Sequence, residues 1–109
     1  MAQEYLLAKN KNNLGQIALS KSVFETIAKI ALEEEEQLAL AEAGPFKSAL
    51  NCKITDDQLV MTLDVKVKYQ VRVEDVCARL QAKIYDSISH MSDYTPDVID
   101  IRIVGFIFE

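Results

Sequence analysis

The chain has 109 residues, half of them hydrophobic and 27% charged, with a net charge of −5 from 17 acidic and 12 basic residues. That length suits one domain, which at this size buries roughly 65% of its unfolded surface and needs no metal or disulfide to hold a core. The acidic balance argues against a general binder of nucleic acid or anionic membrane, and no run approaches the ~20 apolar residues of a membrane span.

Residues 1–13 read as a mobile leader, polar and rich in Asn and Lys from Lys9 onward, and residues 14–109 as one domain. The apolar cluster Tyr5–Ala8 is too short for a signal-peptide core, so the expected location is the cytoplasm. A first short strand is expected over Gly15–Leu19. Ser20 or Ser22 can cap the helix that follows, with Glu25 completing a capping box on Ser22. Val23, Ile27, Ile30 and Ala31 mark its apolar face. Glu33, Glu34, Glu35 and Glu36 then form a run near the helix C-terminus, where the macrodipole disfavours negative charge. The helix end is open between Glu36 and Ala43, and Gly44-Pro45 is a firm stop.

Ala49–Ile54 reads as a second strand with Leu50, Cys52 and Ile54 inward. A tight connection at Asp56-Asp57-Gln58 joins it as a hairpin to a long third strand over Leu59–Tyr69. There Leu59, Met61, Leu63, Val65, Val67 and Tyr69 alternate with Thr62, Asp64, Lys66 and Lys68, and only Val60 breaks the pattern. From Val73 to Met91 the period changes to that of a helix. Val73, Val76, Cys77, Leu80, Ile84, Ile88 and Met91 share one face, with Glu74 and Asp75 in the first turn. A loop through Pro96 leads to a last strand over Val98–Phe108. Ile99, Ile101, Ile103 and Ile107 lie on one side of it, and Gly105 suits a bulge. The order β-α-β-β-α-β, with one apolar face per element, predicts a two-layer α+β domain. Both helices pack on one face of a mixed or antiparallel sheet, in a split β-α-β arrangement.

Catalysis needs convergent polar groups, and none is legible. His90, the single histidine, sits near a helix C-terminus, where a charged imidazole is stabilising. Cys52 and Cys77 occupy apolar positions and read as buried thiols outside any disulfide, in keeping with a reducing cytoplasm. No catalytic, cofactor-binding or metal-binding residue is assigned. Gly15, Gly44 and Gly105 are too far apart for a phosphate loop. Glu33–Glu36 read first as a solvated face and second as an acidic docking patch for a basic partner. The outward side of the sheet is the better candidate surface. Alternation puts Val60, Lys66 and Lys68 there from the third strand, and Arg102, Val104, Phe106 and Phe108 from the last.

Three stretches together carry a resemblance. GQIALSKSVFETIAKIA from Gly15, YQVRVEDVCARLQAKIYDSISHM from Tyr69 and VIDIRIVG from Val98 resemble the opening strand and helix, the second helix and the closing strand of the alkaline shock protein family. These are the Gls-type envelope stress response proteins of Gram-positive bacteria. Family members usually carry a glycine where this chain has Gln37, Gln70 and Asp93. The resemblance implies a general stress protein of the cell envelope, not an enzyme, with no cofactor. It also implies self-association into a homo-oligomer and attachment to the membrane through a membrane-anchored protein partner rather than by direct insertion. The alternative is a nucleic-acid-binding module that uses the open sheet face, which the net charge disfavours.

Overall fold

The computed structural model describes residues 5–7, 14–15, 17–42, 48–56, 58–92 and 94–108. In chain order the elements are β1 (Tyr5–Leu7), β2 (Ala18–Ser20), α1 (Lys21–Glu33), β3 (Leu38–Leu40), β4 (Leu50–Thr55), β5 (Gln58–Lys68), α2 (Val73–Ser92) and β6 (Val98–Ile107). This is the expected α+β domain, with two helices packed against an open sheet.

The sheet is built on β5. One edge of β5 carries β4 along its first half and β3 along its second, both antiparallel. The other edge carries β6, parallel, along nearly its whole length. The sheet is therefore mixed. Leu59, Met61, Leu63, Val65 and Val67 of β5 are all buried, as the alternation requires. Phe24, Ile27, Ala28, Ala31 and Leu32 of α1 and Val76, Leu80, Ile84 and Ile88 of α2 close the core above them. Asp97 aligns the parallel pair. Its N–H donates to the Leu59 carbonyl at 2.8 Å, and its carboxylate accepts from the Leu59 N–H at 2.8 Å.

Several expectations need correction. Part of the expected leader, Tyr5–Leu7, is a strand, because Ala18–Ser20 offers it a backbone ladder. The first helix ends at Glu33, before either expected boundary, and Leu38–Leu40 is a strand rather than a helical extension. Its edge position beside Val65–Val67 supplies hydrogen bonds that a helix would forgo. The crossover is not split, since β5 and β6, joined through α2, are immediate neighbours. The α1 stripe is rotated: Val23 and Ile30 are exposed, while Phe24 and Leu32 fill the core with more apolar volume. Ser20, not Ser22, is the N-cap, and the Ser20 and Ser22 hydroxyls bond each other at 2.8 Å. At the end of α2, Met91 is exposed. The rest of the leader, the Gly44-Pro45 stop, Asp57 and Asp93 lie outside the described residues.

Two turns use left-handed backbone. Asp56, at φ 51, opens the two-residue β4–β5 connection, a position that such hairpins require and aspartate tolerates. Gln70, at φ 73, follows β5. This is one of the positions where the resemblance leads one to expect glycine, and the backbone gives the reason: a Cβ is strained there. Gln70→Gly is expected to stabilise the fold by about 0.5–1 kcal/mol, read as a higher thermal midpoint by circular dichroism. An unchanged or lower midpoint contradicts the strain.

Candidate functional site

The strand register decides which side chains share a face. Val60, Asp64, Lys66 and Lys68 of β5 lie level with Val98, Arg102, Gly105 and Ile107 of β6, on the side of the sheet away from the helices. Val60, Lys66, Lys68 and Arg102 are thus where alternation puts them. Arg102 is engaged within the sheet. Its Nε and Nη2 donate to the two Asp64 carboxylate oxygens at 2.6 and 3.0 Å, a bidentate cross-strand pair. That bond holds the Arg102 pKa above its ordinary value.

The last third of β6 departs from the expectation. Opposite Val65 and Lys66 the register slips by one, so that Val104 has no β5 residue level with it and Gly105 pairs with Lys66. A one-residue slip exchanges the two faces of a strand. Phe106 is therefore level with the buried Val67, on the helix side, and Ile107 is level with Lys68 on the open side. Phe106 meets Phe108 and Tyr69 there, with ring centroids 5.7 Å (Tyr69–Phe106), 5.5 Å (Tyr69–Phe108) and 6.1 Å (Phe106–Phe108) apart. Neither helix covers this group. Tyr69, Phe106 and Phe108 are 58%, 50% and 73% exposed. Lys68, Gln70 and Ile107 join Tyr69 and Phe108 around a depression at this end of the sheet. Alternation puts Tyr69 on the apolar side of its strand, yet it is exposed. The signal that reassigns it is Gly105, whose bulge brings Phe106 and Phe108 to its side.

The four glutamates do not act as one patch. Glu33, Glu34 and Glu36 are exposed, while Glu35 is buried at 7% exposure. Its carboxylate accepts from Arg79 Nε at 3.1 Å and Nη2 at 2.9 Å, and Lys83 Nζ stands 3.6 Å away. Arg79 also donates to the Gln37 side-chain oxygen at 3.2 Å. The run begins at the last residue of α1, so a carboxylate that the helix dipole would repel is held by cations of α2 instead. The Arg79 hydrogen bond, with the charges of Arg79 and Lys83, outweighs burial and holds the Glu35 pKa below 4.5. Arg79 and Lys83, one turn apart on α2, are the sequence signal that could have pointed to this pairing.

Among the described residues, the other polar groups do not converge. His90 is exposed in the last turn of α2. Cys52 is buried, Cys77 is half-buried with its thiol pKa raised by burial, and neither is in a disulfide. Among the described residues no group of three or more His, Cys, Asp or Glu side chains could hold a metal ion. Among them, too, no helix is long and apolar enough to cross a membrane.

The chain is thus a two-layer α+β domain with one helix-covered sheet face, one open face and an exposed aromatic end. The chain belongs to the alkaline shock protein 23 family, which has a cell envelope-related function and whose model matches residues 9–108. This is a stress-protein family not known as an enzyme. No curated protein and no solved structure matches the chain.

The Glu35 cluster generates a pH prediction. A carboxylate whose folded pKa lies below its unfolded value of about 4.5 adds stability above that pH and loses it as pH falls through the folded value. Glu35→Gln should cost about 1–2 kcal/mol at neutral pH, less than a fully buried pair because Arg79 stays half in solvent. Chemical denaturation at neutral and acidic pH checks this, since wild type and variant should converge well below pH 4.5. A difference that persists in acid would contradict the charge pairing.

Proposed function

We propose that this chain is a non-enzymatic cytoplasmic protein of the envelope stress response. It acts by associating with itself and by binding a protein partner, which can be membrane-anchored. Membership of an envelope-related family supports the setting. The observation that carries the mode of action is the exposed cluster of Tyr69, Phe106 and Phe108. Three aromatic side chains grouped in solvent are costly unless another surface covers them, and aromatic residues are enriched where proteins meet. They sit at the end of the rigid β5–β6 pair, so they are presented without an ordering cost. Glu33, Glu34 and Glu36 offer a second, acidic surface to a basic partner. Any membrane location is expected to come through the partner.

Multi-angle light scattering across a concentration series tests the proposal. The wild-type mass should rise above the 12.3 kDa of one chain. Phe106→Ser combined with Phe108→Ser should weaken that rise by about tenfold or more in concentration, since each residue removes a large apolar contact. A wild type that stays at one chain's mass and captures no protein from its host would overturn the reading.

A further inference from the structure

Among the described residues, strand β6 pairs with another strand along one edge only. All of its ten residues except Val104 pair with β5, and among the described residues no strand lies on its other side. The Ile99 carbonyl accepts from the Gln81 side-chain amide at 2.9 Å, so it faces away from β5. Peptide groups alternate between the two edges of a strand, so those of Ile101 and Ile103 face the same open edge. A long, largely apolar edge strand is a template for another strand. Its two charges, Asp100 and Arg102, flank Ile101 on the open side of the sheet.

We infer that β6 is the edge through which two copies of this chain associate, pairing β6 with β6 antiparallel about a twofold axis at Ile101. This rests on the self-association proposed above and assigns a surface and a register to it. In this register Ile101 faces the partner's Ile101, and Ile99 faces the partner's Ile103. The peptide groups that β5 leaves open are therefore the ones that meet. The N–H of the partner's Ile103 takes the place of Gln81 at the Ile99 carbonyl. Asp100 falls opposite the partner's Arg102, and Arg102 opposite the partner's Asp100. These are the narrow pairs of an antiparallel ladder, where side chains approach most closely. Arg102 keeps its bond to Asp64, because its guanidinium has donors to spare. The charges select the register: an axis at Asp100 or at Arg102 would set like charges face to face. Beyond the ladder, the same axis carries the aromatic end of β6 toward the partner's Pro96. That proline borders a depression lined also by Ala82, Tyr85 and Ile99. The result is one continuous sheet through both copies.

The test is a charge-reversal pair read by sedimentation equilibrium and thermal unfolding. Variant one is Asp100→Arg. Variant two combines Arg102→Asp with Asp64→Arg, which keeps the pair within the chain with its polarity reversed. Each alone opposes like charges twice across the axis and should weaken self-association about tenfold to a hundredfold. An equimolar mixture opposes unlike charges again and should restore association as a mixed dimer, which misfolded variants could not do. Ile101→Pro, which removes an N–H donor at the axis, should abolish association while cooperative unfolding is retained. If wild type associates while the variants associate equally well, or their mixture is no stronger than either alone, β6 pairing is wrong and self-association stands. If wild type stays monomeric throughout, both inferences fall.

Discussion

Five side chains on one face of β5 (Leu59, Met61, Leu63, Val65 and Val67) are removed from water, while the same strand bonds neighbours on both edges. Every other element takes its place from these two demands. The buried face calls for a helical layer, which α1 and α2 supply with one apolar stripe each. The two edges call for backbone partners. One is met by a parallel strand, and the other is divided between a hairpin partner and the three-residue β3. A strand saturated in this way has no edge left for a further strand. It serves as the rigid frame on which the sheet's open side and its aromatic end are displayed.

The helical layer is fastened where its sequence is least suited to a helix. The acidic run begins in the last turn of α1, and Glu35 answers the problem by turning inward to Arg79 and Lys83 of α2. A charge at the end of one helix thereby ties that end to the other. Its exposed neighbours remain in solvent, so a tract that looks uniform in composition divides into a structural residue and a surface.

The bulge near Gly105 has the largest consequence for the candidate surface. One extra residue in β6 moves Phe106 to the side of Val67 and Tyr69, and it sends Ile107 to the open side with Lys68. The open side thereby keeps lysines and a cross-strand arginine–aspartate pair, while the aromatic groups gather at the sheet's end, past the reach of the helices.

The sequence by itself determined what depends on short-range periodicity. The strict alternation from Leu59 to Val67 and the helical spacing from Val76 to Ile88 are visible along the chain because burial of one face imposes a fixed period, and the tight connection at Asp56-Asp57-Gln58 makes the hairpin of the second and third strands visible as well. The α+β class and the placement of Val60, Lys66, Lys68 and Arg102 follow from that. Only the tertiary structure decided the rest. Leu38–Leu40 is a strand because the edge of β5 beside Val65 is vacant, and no local preference announces a vacancy. Glu35 is buried because two cations on a distant helix reach it. Tyr69, Phe106 and Phe108 meet because a one-residue slip, invisible to a count of alternating positions, changes which face every later residue of β6 presents. Each depends on a partner far away in sequence, and that is information a local pattern does not hold.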